Sequence, residues 1–449
     1  METESKQIEE KLHGLTQLEL ALKHTFKISA LAKIKGKAKN NQDFVFNSLS
    51  HHLTPELLEE SFNKLNKKAA VGIDGIDYSE YKTDLRENIS RLYSSLKTES
   101  YQPKPIKRVW IDKGDSKKRP LGISAIEDKI IQRAVTTILN NIYENDFYDF
   151  SYGFREKRSA HQALKFLWQQ SMRSNIKWFI NADIKGCFDN FSHKIMLELL
   201  NKRVNDGRLN RLINKWMKTG IVDGKQMTTN EEGTPQGGII SPLLANIYLH
   251  EVIDKWIMEV IRPLLKGGIF IVRYADDFII GLQTERDAKR LYAALPKRLM
   301  KFGLELSLEK SRMQNFTAES SEKNNTIDFL GFTHYWTKSR RGNDVIKRKT
   351  RLKSRRRILK ELYQVIKSNR HSKLKEQYMV IKSKLLGYYG YYALRGNYPF
   401  LNLLYVKSRT FWIKWLNRRG GQKKSYNKSS FDEFNRKFII PKPKILHKF

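Results

Sequence analysis

Apolar positions along the 449-residue chain switch between a period of two and a period near 3.6. "WFINADI" and "IFIVRYADDFIIG" are short runs of β-branched and aromatic residues and predict buried strands. The second run carries Asp276 and Asp277 at its centre, where a hairpin turn would fall. "IKRVWID" alternates like a strand, "KGDSKKR" reads as a hairpin turn, and "PLGIS" resumes extended structure. Helical periods occupy "EDKIIQRAVTTILNNIYE" and, after Pro242, "SPLLANIYLHEVIDKWIMEVI". "TPELLEESFNKLNK" starts a helix with Thr54 as N-cap and Pro55 at the first helical position. "AVGIDGID" is a glycine-punctuated loop. Strands alternating with long helices predict an α+β or α/β architecture.

Toward the C-terminus the pattern becomes helical. Ile358, Leu362, Val365 and Ile366 share one helix face, and a second apolar face runs through "KLLGYYGYYALRGNYPFLNLLYVKSRTFWIKWLNRRG". A basic helical unit over about 345–420 is expected, followed by an extended surface tail containing "PKPK".

Composition changes this picture through charge. An apolar content of 40% suffices for packed cores, but 84 Lys+Arg against 47 Asp+Glu leaves a net charge of +37. Such an excess calls for a polyanionic partner, and nucleic acid is the commonest. From Lys338 onward there are 32 Lys+Arg and 5 Asp+Glu, so most of the excess sits in the last quarter of the chain. Large apolar residues in that quarter argue against a disordered arm. The single cysteine, Cys187, excludes an internal disulfide framework and a multi-cysteine zinc site, and fits a cytoplasmic setting. The polar N-terminus lacks the apolar core of a secretory signal, and no 18-residue apolar run suggests a membrane span.

Two adjacent carboxylates between buried strands are costly unless something compensates their charge. Asp183, which ends "WFINADI" 93 residues before Asp276, supplies a third. A strand-end aspartate beside a hairpin Asp-Asp pair makes a cluster suited to two Mg²⁺ ions, hard cations that take oxygen ligands and substrate phosphates. One ion would activate an attacking hydroxyl and the other neutralise a leaving pyrophosphate. An isolated Asp-Asp pair is ordinarily a polar turn, so the surroundings carry the reading. "GTPQGG" offers Gln236 on a flexible loop, and the "KGDSKKR" hairpin offers Lys113, Lys117, Lys118 and Arg119 to a triphosphate. Phe188, five residues after Asp183, is placed to stack under a sugar and to exclude a 2′-hydroxyl.

In order, "VWIDKGDSKKRPLGISAIEDKIIQRAV", "SYGFREKRSAHQAL", "WFINADIKGCFDNFSH", "GTPQGGIISPLLANIYLH", "VRYADDFIIG", "LELSLEKSRM" and "DFLGF" resemble the reverse-transcriptase motifs of group II intron-encoded proteins. "LLEESFNKLNKKAAVGIDGID" resembles that family's extra N-terminal block, and "LLGYYGYYALRGNY" with "FWIKWLNRRG" its maturase, or thumb, domain. The resemblance implies an α+β right-hand polymerase: an N-terminal extension (1–50), fingers and palm (51–337), a helical thumb (338–420) and a basic tail (421–449).

Carried over, Asp183, Asp276 and Asp277 are the catalytic aspartates, and together with Ile184 they bind the metal. Lys113, Arg119, Phe188 and Gln236 contact the nucleotide, and Lys310 stands near the pyrophosphate as a general acid. Lys347, Arg348, Lys349, Arg351, Arg355, Arg356 and Arg357 contact nucleic-acid phosphates. The implied cofactor is a pair of Mg²⁺ ions, with Mn²⁺ able to substitute. The implied partners are structured group II intron RNA, an RNA/DNA template–primer and target DNA, with the protein a monomer or homodimer. The endonuclease of many relatives, built on paired cysteines and histidines, has no counterpart: after residue 400 the sole histidine is His447. A relative co-opted for phage defence, CRISPR spacer acquisition or DNA repair would share these motifs, although Ala275 in "RYADD" favours the intron form. The intact aspartates speak against a splicing-only factor.

Overall fold

The computed structural model describes residues 30–114, 117–173, 175–224, 226–228, 232–233, 237–320, 325–418, 431 and 436–449. Helices near the start of the described chain include α1 (Pro55–Asn63) and α2 (Leu85–Lys97). Thr54 caps α1 as expected, its hydroxyl accepting from the Leu57 amide at 3.3 Å. A hairpin of β1 (Ile106–Gly114) and β2 (Lys117–Ile123) leads into the buried helix α3 (Ile126–Asp146). Next come α4 (Ala160–Arg173), β3 (Trp178–Asp183), α5 (His193–Asn201), α6 (Gly207–Met217), and the short strands β4 (Ile221–Asp223) and β5 (Gln226–Thr228).

The predicted long helix after Pro242 begins as α7 (Ser241–Leu249). It then widens to π-helical hydrogen bonding over His250–Asp254 and Trp256–Ile261. The hairpin of β6 (Ile269–Tyr274) and β7 (Asp277–Leu282) follows, then α8 (Glu285–Met300) and β8 (Arg312–Asn315). A third set of strands, β9 (Thr326–Phe329), β10 (Phe332–Lys338) and β11 (Asp344–Thr350), precedes α9 (Leu352–Ser368), α10 (Leu374–Tyr392) and α11 (Tyr398–Asn417).

Three sheets result, ordered β2-β1-β4-β5, β6-β7-β3-β8 and β11-β10-β9. The middle one is antiparallel and buried on both faces, because successive residues of a strand point to opposite sides. Ile180, Phe278 and Ile280 enter a core shared with α3, α5, α7 and α8. Their neighbours Phe179 and Ile279 enter a second core, built with α4, the third sheet and the C-terminal helices. That explains why these strands read as continuous apolar runs. The β1–β2 hairpin instead projects, leaving Val109, Trp110 and Ile111 36–50% exposed.

Two expectations need correction. The basic helical unit does not start near 338 or 345: residues 332–350 form the β10–β11 hairpin, and helix begins at Leu352. "DVIKRKT" alternates inward Ile346, Arg348 and Thr350 with outward Lys347 and Lys349, a strand pattern hidden by its charge. The described part of the tail, expected as an extended surface segment, packs into the helical unit instead of lying on the surface. Phe431 and Ile440 are buried, Tyr378 donates to the Ile439 carbonyl, and His447 bridges Leu394. Among the described residues, no helix is long and apolar enough to cross a membrane.

Candidate active site

The middle sheet brings the three aspartates together. In the β3–β7 register Asp183 lies directly opposite Asp277, and Tyr274 faces Asp277 across the β6–β7 turn. Ala275 and Asp276 form that turn, Ala275 at φ 57°. A left-handed non-glycine residue costs roughly a kcal/mol, so the turn must be held from outside.

Arg273 holds it. This arginine lies inside the apolar run with no solvent exposure, and donates to both oxygens of Asp254, at 2.8 and 2.6 Å. Its remaining nitrogen donates to the Asn246 side-chain oxygen at 3.0 Å and to the Ala275 carbonyl at 3.2 Å. Burial works against the Asp254 carboxylate, but Arg273, followed by His250, outweighs it and keeps the pKa below the usual value. Asn246 also donates to the Gly153 carbonyl at 2.7 Å. Gly153 lies so close to the turn that a Cβ there would sit 2.3 Å from the Ala275 nitrogen, which only glycine avoids. Thus "SYGF", "NIYLHEVID" and "VRYADD" interlock behind the carboxylates.

The carboxylates feel one another. Burial, then Asp276 and Asp183, raises the Asp277 pKa to about 7, opposed by the Leu330 amide and Arg351. Burial and Asp183 also raise Asp276, opposed by its own amide, Arg119 and Lys310. Lys310, expected near a pyrophosphate, donates to Asp183 at 2.6 Å. Ile184 is buried and bridged to Leu306. Among the described residues, no three His, Cys, Asp or Glu groups are gathered as a metal site. The donor set nonetheless has the chemistry of one: three clustered carboxylates, of which Asp276 and Asp277 have raised proton affinity, offer the hard oxygen ligands that a divalent cation prefers.

The remaining predicted contacts divide. Phe188 sits in the helical turn Cys187–Asn190 just after Asp183 and is half-buried. Arg119, on β2 opposite Ile111, is exposed and close enough to bias Asp276. The Lys113 side chain and all of Gln236 lie outside the described residues. Gly237, the next residue, has φ 118° and packs against Gly122 of β2, where a Cβ would meet the carbonyl oxygen at 2.2 Å. Lys349, Arg351, Arg355, Arg356 and Arg357 line a cleft of about 740 Å³ between the third sheet and α9. Lys347 and Arg348 do not join them; Arg348 is only 3% exposed.

Sequence reasoning passed over Phe154. It is 58% exposed with φ 56°, and its ring stands edge-on to Phe188 at 6.2 Å and tilted toward Tyr274 at 6.5 Å. Its neighbour Arg155 fixes the loop by donating to Glu144 and to the Tyr148 and Ser151 carbonyls. Arg273 was also passed over, though a lone arginine inside an apolar strand was a visible signal. Asp254 gave none, being one polar residue on a mixed helix face.

Residues 111–334 match the family described as "Reverse transcriptase (RNA-dependent DNA polymerase)". YkfC of Escherichia coli is 34% identical over 257 residues, which cover 50% of this chain and 68% of that protein. The chain belongs to the reverse transcriptases. Within that family its similarity runs to intron-encoded proteins. The group II intron-encoded protein LtrA of Lactococcus lactis is 40% identical over 234 residues, covering 52% of this chain and 39% of LtrA. A putative COX1/OXI3 intron 1 protein of Saccharomyces cerevisiae is 26% identical over 321 residues, covering 61% of this chain and 38% of that protein. The chain therefore spans well under two thirds of the length of these intron proteins.

Proposed function

We propose that this chain is an RNA-directed DNA polymerase that also binds structured group II intron RNA, assisting its splicing and copying it into target DNA. The observation that carries the polymerase reading is the register that sets Asp183 against Asp277, with Asp276 in the turn beside them.

On this reading the middle sheet is the palm, the β1–β2 hairpin belongs to the fingers, and α9–α11 form the thumb. Asp183, Asp276 and Asp277 would hold the divalent cations, for which Mg²⁺ is the proposed physiological ion. When bound, these ions supply an activated primer 3′-hydroxyl and stabilise charge on the leaving pyrophosphate. The protein's own part is positioning. Arg273 and Gly153 fix the Ala275–Asp276 turn, so the carboxylates need not reorganise during reaction. Phe188, braced by Phe154, forms the wall that a deoxyribose passes and a ribose 2′-hydroxyl strikes. Arg119 reaches the triphosphate. Lys310, which donates to Asp183 at 2.6 Å, would be placed to give a proton to the departing pyrophosphate. The cleft from Lys349 to Lys360 takes template–primer phosphates, and its Arg351 also acts electrostatically on Asp277.

Primer extension on poly(rA)/oligo(dT) tests this reading: dTTP incorporation by the wild type, abolished by Asp276→Ala, is expected. A wild type that incorporates nothing would refute it. The RNA role predicts salt-sensitive binding to a structured intron RNA, with log K falling linearly with log salt.

A further inference from the structure

The turn between β9 and β10 reaches the catalytic carboxylates from behind. Phe329 pairs with Phe332, so Leu330 and Gly331 make up the whole turn, and both have left-handed backbones, with φ 47° and 78°. Such a two-residue turn favours asparagine or glycine at its first position, and a leucine there is strained. Strained residues persist where their surroundings hold them, and they gather at functional sites. Here the Leu330 amide donates to the Asp277 carboxylate.

The other side of the same residue is held by Tyr391 of α10, whose hydroxyl donates to the Leu330 carbonyl at 2.9 Å. Burial, then Tyr392, Tyr274 and Asp277, raises the Tyr391 pKa, so the hydroxyl keeps the proton it donates. The Tyr391 main chain is anchored as well. His161 of α4 donates from Nε2 to its carbonyl at 2.8 Å, and the His447 ring stacks on His161 at 3.7 Å. The Tyr391 ring lies 5.8 Å from Phe332, the residue that leaves the turn. A single residue, Leu330, therefore separates a hydroxyl of the C-terminal helices from a catalytic carboxylate. Neighbouring hydroxyls of α10 go elsewhere: Tyr388 to Glu361 at 3.2 Å and Tyr389 to the Pro441 carbonyl at 3.3 Å.

We propose that Tyr391 is a positioning residue for nucleotidyl transfer, fixing through Leu330 the orientation of the Asp277 carboxylate toward a divalent cation. This role rests on the reading of Asp277 as a cation ligand.

The full chain is tested as wild type, as Tyr391→Phe, and as the control Tyr389→Phe. Each variant keeps its ring and loses one hydroxyl that donates to a backbone carbonyl. Three quantities are read: the thermal midpoint without metal, the Mg²⁺ concentration giving half of the metal-induced midpoint rise, and the single-turnover rate of primer extension at saturating template–primer. Tyr391→Phe is expected to raise the half-effect Mg²⁺ concentration about 2- to 10-fold, as the loss of one hydrogen bond implies. It should slow extension by about 10-fold or more, since small displacements of reacting groups are costly. Its metal-free midpoint should fall no further than that of Tyr389→Phe, which keeps the wild-type Mg²⁺ requirement and rate. A wild-type Mg²⁺ requirement in Tyr391→Phe, or an equal shift in Tyr389→Phe, would overturn the proposal while leaving the polymerase reading intact. A wild type with neither extension nor a response to Mg²⁺ would overturn the polymerase reading and the Tyr391 role together.

Discussion

Replacing Arg273 by Met should separate what holds the catalytic turn from what performs the chemistry. The substitution deletes four hydrogen bonds: two to Asp254, one to Asn246 and one to the Ala275 carbonyl. It leaves the Asp254 carboxylate fully buried, with the His250 ring 3.7 Å away. Breaking a buried ion pair from one side costs about 3–5 kcal/mol, a large part of a typical folding free energy. A fall of about 5–15 °C in the thermal midpoint is therefore expected. Removing both charges, as Arg273→Met/Asp254→Leu, should restore most of that loss, because no unpaired ion remains. Activity should not return with stability. The Ala275 carbonyl stays unanchored in the double variant, and a displacement of about 1 Å near reacting groups costs on the order of a hundredfold in rate. Thermal melting and single-turnover primer extension on the same preparations read the two effects. A double variant with wild-type extension rate, or a single variant with unchanged melting, would refute the turn-holding role.

Other outcomes follow from the same geometry. Phe154→Ala should raise ribonucleotide incorporation relative to deoxynucleotide, in the same direction as Phe188→Ala but by less, read as a ratio of kcat/KM values; an unchanged ratio would mean that Phe154 does not brace Phe188. Because burial and neighbouring carboxylates raise the Asp277 pKa to about 7, the folded protein holds a proton there that the unfolded chain has released. The metal-free protein should thus lose stability as pH rises from about 4 to 7, and the midpoint gain on adding Mg²⁺ should grow from pH 6 to 8. A gain independent of pH would contradict metal binding at Asp277. Lys310→Met should slow extension most with poor leaving groups, since a proton donor is removed, while Kd for template–primer stays close to wild type in a filter-binding assay.

How far the chain could be read depended on how local the cause was. The β6–β7 hairpin and β3 declared themselves because a strand buried on both faces must be apolar throughout, which made three aspartates conspicuous. The α1 cap and α3 were likewise fixed by residues within one turn of each other. β11 was missed because Lys347, Arg348 and Lys349 mask an alternation whose inward member is itself an arginine. The Arg273–Asp254–Asn246 lock joins residues from separate elements, and no local pattern pairs them. The π-helical widening over 250–261 was similarly silent, since its side chains keep a helical apolar period.

On the proposed reading, Asp183, Asp276 and Asp277 together carry nucleotidyl transfer on an RNA template. Single-turnover extension of a DNA primer on RNA, with Mg²⁺ and dNTPs, measures it most directly when run for the wild type beside Asp183→Asn, Asp276→Ala and Asp277→Asn. Extension by the wild type is expected and, for each variant, a loss of at least about a thousandfold in rate with template–primer binding retained. Extension surviving in any one variant at near wild-type rate would contradict it.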